Sequence, residues 1–271
     1  MPGDFILHEK PIPYFTSSLF DSYGVKHCFT TKHGGVSTGF FKSLNFAAGN
    51  GSTRDTAENL YKNHDTAAHL LGLTADDVCR TYQAHTDMIE IVGKSRRGTG
   101  LTKPAFSHRA DGLITNEEGV ALSARAADCV PILLYDTKTD TAGAVHSGWQ
   151  GTKKQIAVKA VKLFESLGSK PENIIAALGP CIKGCCYEVG GEFYDHFSSN
   201  PEAFSVREGK IYFDLTSVIT KALINCGIIK ENIQVCPLCT CCESELFFSY
   251  RRQGNDRGTM AAFITVRRKI T

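Results

Sequence analysis

Three residues of this 271-residue chain carry donor types that suit a single metal ion: His85, Cys129 and His146. Cys129 opens the apolar run CVPILLY (129–135), which reads as a buried strand. Polar DTKTDT follows, and AGAVH reads as a second short strand ending at His146. A hairpin turning near Thr137–Lys138 sets residue 129 opposite residue 146, with their Cβ atoms roughly 5 Å apart. A thiolate and an imidazole that close can share one ion, because zinc bonds to sulfur and to imidazole nitrogen are about 2.3 and 2.0 Å. The plainer alternative is a buried cysteine beside a hydrogen-bonded histidine, since free cysteine is commonly a small core residue. His85, in TYQAHTD where the chain turns after a strand, offers the third donor. Two imidazoles and one thiolate suit zinc and leave a fourth position open for water or substrate. The same set could hold copper. Nine histidines and no His-x-His pair argue against a centre with several coppers.

A second candidate is HSGWQGTKKQ (146–155). Gly148 and Gly151 let the backbone approach a ligand, and a helix is expected over 152–167. Its N-terminus would present free N–H groups to an anion. Lys153 and Lys154 in that first turn oppose the macrodipole preference, unless an anion sits nearby or both are simply solvated. Further on, SYRRQGNDRG places Arg251 and Arg252 at the end of an expected strand, with one of them a candidate to face the site.

The third feature is cysteine-rich: GPCIKGCCYEVG (179–190) and CPLCTCC (236–242). Cys236-x-x-Cys239 resembles half of a zinc ribbon, and Cys181, Cys185 and Cys186 could supply the rest. Without a second clean CxxC, the expectation is that these cysteines, with Cys241 and Cys242, are reduced and mostly structural.

The elements that must position these residues follow from pattern. A strand is expected at 26–32, a helix over roughly 54–71 capped by Ser52 or Thr53, and two strands within 78–92 meeting near His85. KSRRGTGLTKPAFSH (94–108) reads as a mobile loop and a possible lid. DGLIT, VALSA, NIIAALG, NIQVC, FFSYRR and TMAAFITVRR read as strands. Ile156, Ala160, Leu163, Phe164 and Leu167 recur at helical spacing, and Asp214 can cap a helix over 215–226. The whole reads as a single domain over 1–271 of mixed α and β structure, with residues 1–20 peripheral.

Apolar content of 42% and charged content of 21% fit an ordinary globular enzyme. A net charge of +2 is too mild to point to nucleic acid or a membrane surface. No apolar stretch approaches the roughly 20 residues of a membrane span. Eleven cysteines with no evident export signal lead us to expect reduced thiols in the cytoplasm.

HGGVSTGFFKSLNFAAGN, YQAH, ADGLIT, LSARAADCVPILLYD, AVHSGWQGT, LGPCI with YEVG, and FFSYRR occur in order between about residues 24 and 267. Together they resemble the bacterial YfiH-type proteins, the laccase-domain family once named multicopper polyphenol oxidases. The resemblance implies an α+β fold layered α/β/β/α with mixed sheets, like that of certain cysteine-dependent toxin domains. It implies a zinc held by His85, Cys129 and His146, the three residues already picked. It implies purine nucleoside phosphorylase activity on adenosine, inosine and methylthioadenosine, with adenosine deaminase activity. Purine nucleosides and phosphate are then the partners, with Asn45, Arg125, Gly148, Gln150, Lys153 and Arg251 as candidate substrate-binding residues. Gln150 stands where the family usually has arginine or lysine, which puts phosphate affinity in question, and Lys32 stands where arginine is frequent. Two other readings remain open: copper-dependent phenol oxidation, and a hydrolase or peptidoglycan-editing enzyme with Cys129 as nucleophile.

Overall fold

Alternation along the central strands decides the architecture. In β8 (Val130–Asp136), Leu133 and Tyr135 join one apolar cluster while Val130, Ile132 and Leu134 join another. A strand buried on both faces needs packing partners on both. The computed structural model describes residues 5–49 and 51–267 and supplies those partners. Leu133 and Tyr135 share a cluster with Ala142 and Ala144 of β9 (Ala142–Ser147) and Ile175 and Ala177 of β10 (Ile174–Leu178). The same cluster holds Leu122 and Ala124 of β7 (Ala121–Ala126) and Ala262 and Ile264 of β15 (Met260–Thr265), which belong to a second sheet. The other face of β8 packs on α4 (Ile156–Ser166) and α6 (Leu215–Asn225). Beyond the second sheet, α2 (Ala57–His69) lays Ala67 and Ala68 against Val78, Ala121 and Phe263. The layers therefore run α/β/β/α in one α+β domain, as the resemblance implied.

Among the described residues, one six-stranded sheet has the order β1 (Phe5–His8), β2 (Tyr14–Ser17), β3 (His27–Thr30), β15, β7, β4 (Val78–Arg80). The other runs β14 (Ile233–Val235), β10, β8, β9, β6 (Gly112–Thr115), β5 (Ile89–Ile91). Both sheets are mixed: β4–β7, β5–β6 and β10–β14 are parallel pairs, whereas β7–β15 and β8–β9 are antiparallel. A small third sheet, β11 (Glu188–Val189), β13 (Lys210–Phe213) and β12 (Phe204–Arg207), flanks the short helix α5 (Glu192–His196).

Several expectations need correction. The β8–β9 hairpin pairs Pro131, not residue 129, with His146. The Asp136 carboxylate accepts the N–H groups of Lys138 and Thr139, which moves the turn along by one residue. A register change of two residues keeps every side chain on its original face, so Cys129 and His146 still meet, diagonally. The helix expected over 152–167 is two helices: α3 (Trp149–Lys153), then a left-handed Gln155 (φ 59°), then α4. Thr56, not Ser52 or Thr53, caps α2. FFSYRR is no strand: Phe247 and Phe248 are buried, and α7 (Tyr250–Gln253) follows. Of the N-terminal segment, β1 is an edge strand with Ile6 and Leu7 exposed, but the stretch from β2 onward is not peripheral. β2 pairs with β3, and Phe15 and Phe20, the latter in α1 (Ser18–Ser22), enter the inter-sheet core. Nor is 94–103 a free lid: Arg80 N donates to Thr99 O, Gly98 N donates to Val78 O, and Arg97 pairs with Asp77.

Candidate functional site

His146 lies at the end of β9, Cys129 just before β8, and His85 in the loop between β4 and β5. One donor atom from each lies within 4.8 Å of the other two, and the two imidazole rings meet edge to face at 5.0 Å. His146 is buried, Cys129 half-buried and His85 exposed, so the cluster opens to one side.

Asp111, at the start of β6 and 1% exposed, organises the two histidines. Its carboxylate accepts the His146 Nδ1–H at 2.8 Å, which leaves Nε2 free to bind a metal. The same carboxylate accepts the backbone N–H groups of Ala84, His85 and Thr86 and the Thr86 hydroxyl. His85 is held there at φ 58°, a left-handed conformation that costs energy for a side-chain-bearing residue. Burial opposes the charge on Asp111, but the His146 ring and Thr86 hold its carboxyl well below the ordinary range. On His146, burial disfavours the proton, yet Cys129 and Asp111 raise the pKa to about 9. Burial and the neighbouring His146 push His85 the other way, downward.

Gly148 stands over the cluster. A Cβ there would lie 2.8 Å from His85 Nδ1 and 2.9 Å from Cys129 Sγ, so only glycine leaves these two donors their space. Close packing, a tautomer fixed by a carboxylate, and two nitrogens with one sulfur all fit one bound metal ion.

The cluster borders a cleft of about 570 Å³. Trp149, Tyr187 and Tyr250 give it aromatic walls, and Arg125, Arg251 and Arg257 give it positive charge. Arg125 donates to Thr81 O and Gln83 Oε1, and Arg251 to Glu188 O. The buried Nε of Arg257 has no hydrogen-bond partner among the described residues. Asp128 anchors the rim by accepting from Thr240, Ser249 and the Arg251 backbone.

The structure thus brings Arg125 and Arg251 to the cleft with His85, Cys129 and His146. Gly148 sits over His85 and Cys129 of the candidate donor cluster. Asn45 is a buried scaffold residue, binding Ala47 O, the Asp55 carboxylate and the Thr259 N–H. Gln150 is exposed and does not line the cleft. Lys153 points to His196, with its Nζ 3.0 Å from Nδ1. Both lysines follow from the earlier helix start: Lys153 lies in the last turn of α3, where the macrodipole favours a cation. Lys32 reaches Ser244 O instead. Sequence reasoning missed Asp111, Tyr187 and Arg257. The invariant chemistry of a metal-bound histidine, which needs a carboxylate or carbonyl behind it, was the available signal for Asp111 in ADGLIT.

Fold and cluster together define a layered α/β/β/α enzyme with a two-histidine, one-cysteine candidate metal centre. Residues 26–267 match the family described as multi-copper polyphenol oxidoreductase laccase, and the chain belongs to it. It is 35% identical over 243 residues to the purine nucleoside phosphorylase YlmD of Bacillus subtilis, covering 87% of this chain and 86% of that protein. It is 32% identical over 200 residues to the adenosine deaminase RL5 of an unknown prokaryotic organism, covering 71% and 76%. The crystal structure of YlmD from Geobacillus stearothermophilus superposes with a TM-score of 0.88 at 32% identity, covering 97% of this chain and all of that one.

Proposed function

We propose that this enzyme cleaves purine nucleosides with phosphate, and deaminates adenosine, in the cleft bordered by His85, Cys129 and His146. The observation that carries the reading is the union of that donor cluster with aromatic walls and arginines in one cleft. Trp149, Tyr187 and Tyr250 offer faces on which a purine ring can stack. Arg251 and Arg257 offer guanidinium groups for phosphate oxygens, and the Nε–H of Arg257 has no acceptor among the described residues. In phosphorolysis a phosphate oxygen bonds to ribose C1 as the C1–N9 bond breaks, and the bond's electron pair leaves with the purine, which takes up a proton. Arginine charge orients the attacking phosphate, and the aromatic walls exclude water from the breaking bond. His85, Cys129 and His146 would hold one zinc ion, which when bound supplies a positive charge that polarises a substrate oxygen or acidifies water. A cytoplasmic site of action suits so many reduced thiols.

The test is product analysis on adenosine with and without phosphate, using metal-replete untagged protein. Phosphate-dependent release of adenine supports phosphorolysis, and inosine with ammonia supports deamination. Absence of both products refutes the proposal. A second reading draws on the closeness of the His146 imidazole to the Cys129 sulfur, an arrangement that also suits a cysteine nucleophile served by a histidine base. Alkylation of Cys129 that added zinc fails to block would favour it.

A further inference from the structure

A second cluster of ligating side chains lies outside the cleft's donor set. The sulfurs of Cys185, Cys186, Cys239 and Cys242 all lie within 4.8 Å of one another. Cys186 Sγ is 3.3 Å and Cys185 Sγ 3.6 Å from Cys242 Sγ. Tetrahedral zinc with bonds of about 2.3 Å places its sulfurs roughly 3.8 Å apart, close to this spacing. We propose that these four cysteines hold one structural zinc ion, which ties the 181–188 loop to the 236–243 loop at the rim of the cleft.

Two further observations point the same way. The first is the turn around Cys239, whose sulfur accepts the backbone N–H of Lys183 at 3.5 Å. Such an N–H group stabilises the charge of a metal-bound thiolate and fixes the direction of its lone pairs. The ligand pair is Cys239-Thr-Cys-Cys242, overlapping the Cys236-x-x-Cys239 pair that the sequence brought forward. Cys236 is fully buried, its N–H donating to Leu178 O in the extension of β14, and it takes no part.

The second is the charge of the surroundings. Four thiolates around one zinc carry roughly two net negative charges. Arg207 donates to Gly184 O and Cys185 O, Arg251 to Cys186 O, and Arg252 to Thr240 O and Cys241 O. Three guanidinium groups therefore bind the backbone of the two loops that present the sulfurs. A disulfide would consume only two of the four cysteines and would leave that positive charge opposite neutral thiols.

The two loops matter to the cleft. Tyr187 follows Cys186 directly, and Thr240, between Cys239 and Cys242, donates to Asp128 beside Cys129. Loss of this zinc should loosen the aromatic wall without removing any donor of the cleft cluster.

Zinc content of untagged protein tests the assignment. The Cys129→Ser variant, which lacks a donor of the first site, should retain one zinc per chain, and adding Cys239→Ser should remove it. If the second variant fails to fold, alkylation of the native protein decides instead. Cys185, Cys186, Cys239 and Cys242 should stay protected until a strong chelator is added, while half-buried Cys226 reacts from the start. Chelation should also lower the melting temperature by several degrees. Equal labelling of all four with zinc present, an unchanged zinc count in Cys239→Ser, or a Cys186–Cys242 disulfide in reduced preparations would each overturn the proposal.

Discussion

The carboxylate of Asp111 accepts the Nδ1–H of His146 at 2.8 Å while gathering three successive backbone N–H groups from the loop that carries His85. One side chain thus orients one histidine and shapes the backbone of the other. Asp111→Asn keeps the size but cannot accept all these donors at full charge. We expect metal affinity to fall about 10- to 100-fold, in line with the loss of a carboxylate behind a metal-bound histidine. Competition with a chromogenic chelator measures it, and unchanged affinity would mean that Asp111 only supports the fold.

Gly148→Ala introduces a methyl group within 3 Å of two donors. Either His85 or Cys129 must move, and a displacement of about 1 Å can lower turnover roughly 100-fold. The expected signature is a loss in kcat with little change in melting temperature. Wild-type turnover in this variant would show that the donors have room to spare.

Arg257→Ala should raise the KM for phosphate more than that for nucleoside. Hydrogen bonds to a charged group contribute about 1.5–3 kcal/mol, so the expected rise is roughly 10- to 100-fold. Lys153→Ala and Gln150→Arg should leave it unchanged, because neither side chain lines the cleft. A phosphate effect in those two variants and none in Arg257→Ala would move the anion to α3.

Stability should decline in mild acid because of His64. Its Nδ1–H donates to Leu60 O, its buried Nε2 has no partner among the described residues, and burial with nearby Arg80 holds its pKa well below the usual value. The folded state keeps this ring neutral, while the unfolded chain takes up a proton below about pH 6.5. Stability is therefore full above that pH and falls by about 1.4 kcal/mol per pH unit below it, for this one proton. Denaturant melts from pH 7.5 to 5 should show a shallower slope in His64→Leu. Equal slopes would place the acid sensitivity elsewhere.

The strands were the most legible part of the chain, because each central strand is a short apolar run bounded by polar turns. The clustering of His85, Cys129 and His146 was legible because a two-residue slip in a hairpin does not change which face a side chain occupies. What local pattern could not show is where α3 begins. Its five residues are too few for a helical period, and placing the start three residues late made Lys153 look like an N-terminal oddity. Asn45 sat in a motif of small polar residues that a ligand loop and a buried hydrogen-bonded loop share. Arg257 and Tyr187 depend on contacts between segments about 60 residues or more from Cys129, beyond the reach of spacing.

β15 lies between β3 and β7, buried at all six positions. The first sheet therefore has a gap at its middle until residues 260–265 arrive. During synthesis, β3 and β7 must wait with unpaired edges while some 130 further residues are made after β7. A ribosome-bound chain halted before residue 260 should thus be open to proteases and chaperones, and a truncation that removes residues 260–265 would take out the centre of the sheet.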